Sequence, residues 1–218
     1  MVIPMSMRSH PPMTLPEYER MFRVIHAVVA IEGADPARAS LFFAVAGAFM
    51  LRRHHRLETA CPVAGVAAYN LPAPANALII PGAVDGERLV SDEDHFHCWI
   101  EADGWIIDLT APLFDAMIST GQPRVPVPPF MFQKPALPAG NGEKVMAPGA
   151  YLHLPNNRLT TALMNSFTEK AAYADLVRIC QAWYARPPKK IAPSIGIESQ
   201  DGGAKAVSLS SIRLQGAW

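Results

Sequence analysis

The apolar positions of this chain change period as the chain advances. Leu15, Tyr18, Met21, Phe22, Ile25, Val28 and Val29 recur at helical spacing. Thr14 caps that helix, Glu17 completes a capping box, Pro16 sits in the first turn and Gly33 ends it. Asp35-Pro36 reads as a second helix start, with the helix running to about Arg53. Leu41, Phe42, Phe43, Val45, Ala46, Phe49, Met50 and Leu51 are apolar nearly all round it, which predicts a central, buried helix. Gly47 in its middle lowers helix propensity by about 1 kcal/mol and predicts a close packing contact.

Beyond Arg56 the pattern turns to strands. Residues 63–71, 77–80, 95–110 and 151–154 are strand candidates, punctuated by Pro72, Pro74, Pro81-Gly82 and Asp85-Gly86. Residues 121–149 carry seven prolines and read as one long loop, either a lid or a surface wrap. Helical spacing returns over 159–186, with a break expected near Phe167-Thr168, and Pro187-Pro188 stops it. Residues 1–13 read as a loose lead, and the tail from Lys189 as a segment that docks or frays. Helix, central helix, antiparallel strands and helix in that order predict an α+β fold in a single domain, 1–218, with the central helix packed on the sheet.

The segment 95–110 is a β-hairpin turned at Asp103-Gly104. The turn pairs Ala102 with Trp105, Glu101 with Ile106, Ile100 with Ile107, Trp99 with Asp108 and His97 with Thr110. Strand alternation then puts Phe96, Cys98, Ile100, Ala102, Trp105, Ile107 and Leu109 on one uncharged face, expected to be buried. His95, His97, Trp99, Glu101, Ile106, Asp108 and Thr110 share the other. There Asp108 is the diagonal neighbour of His97, with backbones about 7–8 Å apart. A carboxylate in that place can hold an imidazole in one tautomer, which is half of a catalytic triad.

Composition narrows the partners. Of 218 residues, 19 are basic and 19 acidic, and half are hydrophobic. No basic stripe suggests nucleic acid, and no acidic tail suggests a solvated arm. The longest apolar run, 41–51, is too short to span a bilayer. No apolar stretch in 1–13 suggests a signal peptide. Cys61, Cys98 and Cys180 are too few and too widely spaced for a disulfide framework. A cytoplasmic protein that binds neither membrane nor nucleic acid is expected, acting on a small molecule or peptide.

His97-Cys98-Trp99-Ile100-Glu101 followed by Trp105-Ile106-Ile107-Asp108-Leu109-Thr110 resembles the transglutaminase-like branch of the papain-like superfamily. The resemblance covers roughly residues 30–112, about half the chain, and points to a bacterial branch. That family carries His-x-Trp-x-Glu in one strand and Trp-x-x-Asp-x-Thr in the next. It places a nucleophilic cysteine near the start of a buried helix, three and four residues before an aromatic and an alanine. Phe43-Ala44 matches that pair, and the nucleophile position falls on Ser40. The resemblance implies a papain-like fold and hydrolysis or acyl transfer at an amide or ester, with no cofactor. Ser40 would attack, His97 would act as base then acid, and Asp108 would orient His97. His95, Trp99 and Glu101 are the candidate cleft residues. If Asp35 caps the helix, Ser40 lies in its second turn, where its N–H is already used; a later start frees it.

Two other readings compete. With serine in place of cysteine, the fold could serve as a catalytically degenerate binding module. His95, His97 and Glu101 also form a His-x-His-x-x-x-Glu pattern, as in the first cupin motif, with His153 and Asn157 as a loose echo of the second. That reading would hold iron, manganese or zinc.

Overall fold

The computed structural model describes residues 9–73, 75–86, 88–118, 125–136, 147–198 and 203–218. Helix α1 spans Leu15–Ile31, and its cap forms as the sequence predicts. Glu17 Oε2 accepts from the Thr14 backbone N–H (2.8 Å) and hydroxyl (2.9 Å). The second helix differs from expectation. Asp35 caps a separate 3-10 turn, Pro36–Arg38, accepting from the Ala37 N–H at 3.0 Å. Helix α2 then starts afresh at Ser40 and runs Ser40–His55. Asp35-Pro36 is a genuine start signal, but for a turn that stops after three residues.

The strands are β1 (Cys61–Asn70), β2 (Leu78–Ile79), β3 (Ala83–Asp85), β4 (Arg88–Val90), β5 (His97–Ala102), β6 (Trp105–Asp108), β7 (Phe130–Pro135), β8 (Tyr151–Pro155), β9 (Ser194–Glu198), β10 (Ala204–Ser208) and β11 (Gly216–Ala217). Helices α3 (Phe114–Met117), α4 (Asn157–Glu169) and α5 (Ala171–Trp183) complete the chain, with a second 3-10 turn at Ala111–Leu113. The main sheet runs β11-β7-β6-β5-β1-β2, with β8 also paired to β1. Helix and sheet segregate as an α+β arrangement, and among the described residues no helix is long and apolar enough to cross a membrane.

The hairpin turns at Asp103 and Gly104, both at positive φ (48° and 79°), as a two-residue type I′ turn requires. The ladder pairs Ala102 with Trp105, Glu101 with Ile106 and Ile100 with Ile107, then stops. The further pairs expected, Trp99 with Asp108 and His97 with Thr110, do not form. Thr110 instead folds back on Asp108, whose strand partner is Phe132 of β7.

Both faces of the hairpin are buried, where the sequence predicts one. Cys98, Ile100 and Ile107 pack into a core with α1, α2 and α5. Trp99 and Ile106 join a second core with Tyr69, Phe114, Val127 and Phe132. The closing side chains come from outside the hairpin, Tyr69 from β1 before it and the others from segments after it. One is β7, which lies inside the stretch expected to be a proline loop. Pro128 and Pro129 precede it and Pro135 is its last residue, so no proline interrupts it, and Phe132 supplies its buried apolar side chain. Much of the rest of 121–149 lies outside the described residues. The late helix breaks at Lys170, close to where expected. The tail docks, with β11 running parallel to β7.

Gly47 performs the packing role its position suggests. A Cβ there would lie 2.3 Å from Leu109 Cδ1 and 2.7 Å from Ile100 Cδ1, so α2 presses directly on the hairpin.

Candidate active site

Ser40 is the first residue of α2. At that position its backbone N–H has no intrahelical acceptor, and the helix dipole presents its positive end. The objection that Ser40 lies in a second turn is therefore removed. Ser40 and His97 line one cleft of about 720 Å³, bounded also by Arg38, Ile80, Phe96 and Met117.

His97 is held hard. Its Nε2 lies 2.7 Å from Asp108 Oδ2, and the two side chains are almost wholly buried. A carboxylate only accepts, so Nε2 carries the hydrogen and Nδ1 is left as the basic nitrogen. Among the described residues Nδ1 has no hydrogen-bond partner. Asp108 Oδ1 accepts from the Thr110 N–H (2.8 Å) and hydroxyl (2.6 Å), and Oδ2 also accepts from the Tyr69 hydroxyl (2.5 Å). The Tyr18 hydroxyl of α1 donates to the Asp108 carbonyl. Burial pushes the Asp108 carboxyl up, but His97, Thr110 and Tyr69 outweigh it and bring it down to about 2. Asp108 is thus a fixed negative charge with both oxygens occupied.

Tyr69 and His153 are site residues that the sequence did not single out for this chemistry. His153 Nε2 lies 2.9 Å from the Tyr69 hydroxyl. No local pattern could have found the pair, because it is made by β1 and β8 meeting across more than 80 residues.

The three candidate cleft residues do not line the cleft. His95 is exposed and bonded to Asp92 Oδ1 at 3.1 Å. Trp99 is fully buried and donates its indole N–H to Glu101 Oε1 at 3.1 Å. His95 lies before the start of β5, and along the strand Trp99 is sealed in the second core while Glu101 is half-buried away from the cleft. His95, His97 and Glu101 also fail to converge as metal ligands. Among the described residues no three His, Cys, Asp or Glu side chains could hold a metal ion.

None of the three cysteines lines the cleft with Ser40 and His97. Cys98 faces α2, and burial drives its thiol far up although the Ser40 hydroxyl beside it pulls the other way. Burial and then Glu101 push the Cys61 thiol up, and burial does the same to Cys180. The Ser40 hydroxyl lies beside Cys98, and no Ser40–His97 hydrogen bond forms in this state.

The chain matches, over residues 14–218, the family described as a protein of unknown function, DUF2026. The chain belongs to the DUF2026 family. It is also similar to a crystal structure of a genomics target, with 30% identity, a TM-score of 0.80, and coverage of 97% of this chain and 99% of that one. Among curated proteins nothing matches it. The DUF2026 match takes in Ser40, Tyr69, His97, Asp108 and His153.

Proposed function

We propose that this DUF2026 protein is a papain-like, transglutaminase-like acyl-transfer enzyme working on an amide or ester of a small molecule or peptide. One observation carries the reading. The His97 imidazole, with Nε2 committed to Asp108, borders the same cleft as a serine at the first position of a buried helix.

The chemistry follows. Ser40 Oγ attacks the substrate carbonyl carbon while its proton passes to His97 Nδ1. Asp108 stabilises the imidazolium through Nε2–H. The backbone N–H groups at the start of α2 stabilise the oxyanion. The leaving amine or alkoxide takes the proton back from Nδ1 as its bond to the acyl carbon breaks. Water or a second nucleophile then releases the acyl group from Ser40.

One observation favours a second reading, a degenerate binding module on the same fold. The Ser40 hydroxyl lies beside Cys98 rather than bonded to His97. Fluorophosphonate labelling with mass-spectrometric localisation separates the two. A single adduct on Ser40, abolished by His97→Ala, is the expected result. If no adduct forms, Ser40→Cys and alkylation against pH decide what remains. A depressed thiol pKa marks an intact but disarmed site, and an ordinary one marks a binding module.

A further inference from the structure

We propose that Tyr69 and His153 are positioning residues of this site: His153 donates to Tyr69, and Tyr69 donates to the Asp108 oxygen that also holds His97. As a positioning role this rests on the acyl-transfer reading. As a hydrogen-bond arrangement it stands on the distances and on the ionised Asp108 carboxylate.

The direction of each bond follows by elimination. Tyr69 Oη is 2.5 Å from Asp108 Oδ2 and 2.9 Å from His153 Nε2. Asp108 carries no proton, so the single hydroxyl hydrogen of Tyr69 must point at Oδ2. The Tyr69 oxygen then has only lone pairs to offer His153. His153 Nε2 must therefore carry its hydrogen, which leaves Nδ1 bare. Nδ1 is indeed buried without a partner. Its surroundings explain why that is tolerated. The ring is boxed by Trp99, Tyr69, Phe132 and Tyr151, with centroids 4.8, 5.2, 5.8 and 6.1 Å away. A bare lone pair costs less there than a buried cation would.

Two imidazoles thus reach one carboxylate by different routes. His97 binds Oδ2 directly and has a nitrogen to spare. His153 reaches the same oxygen through a phenol, and its bare Nδ1 is sealed among aromatic rings away from the cleft. Successive donors in a low-dielectric interior polarise one another, so the His153 bond strengthens the Tyr69 bond. Both draw electron density from Oδ2 that would otherwise go to His97 Nε2–H. The arm therefore sets how strongly Asp108 grips the base, besides fixing the carboxylate plane. Thr110 holds the other oxygen, Tyr18 the backbone of Asp108, and none of these groups touches the cleft directly.

The test is NMR on protein labelled with 15N in histidine, run beside the Ser40 labelling assay. In the native protein His153 should show a protonated Nε2 and a bare Nδ1. In Tyr69→Phe the His97 Nε2–H proton should move downfield as Asp108 turns to it more fully. The double variant Tyr69→Phe with His153→Phe should show the same shift, and it leaves no unpaired Nε2–H if the single variant folds poorly. A protonated Nδ1 on native His153, or an unmoved His97 proton in either folded variant, overturns the proposal. A labelled Ser40 with an unmoved His97 proton removes the arm alone. A shifted proton with no Ser40 labelling keeps the arm and removes the acyl-transfer reading.

Discussion

At the N-terminal end of α2, Ser40 and His97 border a cleft; at its C-terminal end, His55 is set against Glu17 and Tyr184. The ingredients are nearly the same, a buried histidine, a carboxylate and a tyrosine. His55 Nε2 is 2.8 Å from the Tyr184 hydroxyl, and its Nδ1 is 4.0 Å from Glu17 Oε1. But Glu17 is already committed. Oε2 closes the α1 cap, and Oε1 takes the Arg186 guanidinium at 2.5 Å. Burial pushes the Glu17 carboxyl up, yet Thr14, Arg186 and His55 outweigh it and lower it. Its charge is answered by a cation, whereas Asp108 is answered by an imidazole and hydroxyls. The helix ends differ too. The dipole of α2 presents its positive end at Ser40 and its negative end at His55. A histidine beside a carboxylate is therefore no site in itself. Here the site is made by the cleft, the uncommitted ring nitrogen and the end of the helix.

Asp108→Asn tests the contrast most severely. An amide cannot accept on both sides, so Thr110 or the His97 and Tyr69 pair would face an N–H group. Ser40 labelling should fall on the order of 10³-fold or more, as when a triad carboxylate is replaced by its amide. Glu17→Gln should leave the labelling rate unchanged. Equal losses in the two variants would mean that the two ends do not differ in function.

Acid should find the same asymmetry. Burial lowers His153 to about 3, with Asp108 opposing and His97 assisting. Unfolded, His153 titrates near 6.5, so the unfolded chain takes up a proton that the folded chain refuses. Stability contributed by neutral His153 is complete above about 6.5. It is lost as pH falls towards about 3, at about 1 kcal/mol per pH unit for this group. Asp108 adds a loss between about 4, its unfolded value, and about 2. Burial also lowers His26 and His54, so some slope survives any change at 153. Denaturant unfolding from pH 7 to 4 should be distinctly less pH-dependent in His153→Phe. An unchanged slope would mean that His153 is protonated or exposed in the folded protein.

How much of this was readable from sequence follows from the range of each interaction. The Thr14 cap, the Asp103-Gly104 turn and the proximity of His97 to Asp108 are set by residues within a dozen positions of one another, and all three are observed. The start of α2 was misplaced because Asp35-Pro36 is an equally good signal for a 3-10 turn. The second face of the hairpin was misjudged because Phe114, Phe132 and Tyr69, which cover it, lie outside the hairpin. Tyr69 and His153 were invisible as partners for the same reason, since strand pairing across a long separation leaves no mark on either segment. That Ser40 and His97 border one cleft was expected from a family resemblance rather than from periodicity.

Gly65 is where the site's strands are tied together. It pairs with His97 of β5 and with Pro155 of β8. A Cβ there would lie 2.1 Å from the Leu154 carbonyl oxygen and 3.0 Å from Trp99 Cη2. Backbone cannot yield as a side-chain tip can. Gly65→Ala should cost about 3 kcal/mol, the upper end of overpacking, and should disturb His153 more than His55. The measurements are the denaturation midpoint and the two histidine resonances. A variant of native stability would mean that β8 does not press on β1 as described.

The smallest effect belongs to the C-terminal end. In Glu17→Gln the amide oxygen can still serve the Thr14 N–H, but its NH₂ then meets the Arg186 guanidinium. Arg186 is half exposed, so water takes over much of what the carboxylate supplied. The cap survives in weakened form, and a lost cap typically costs about 1 kcal/mol. The expected loss is therefore about 1 kcal/mol by thermal or denaturant unfolding. A loss of several kcal/mol would mean that Glu17 balances a charge on His55 as well as on Arg186. In that case the C-terminal cluster would be an ion-pair network in its own right, and the two ends of α2 would be closer in electrostatic character than their geometry indicates.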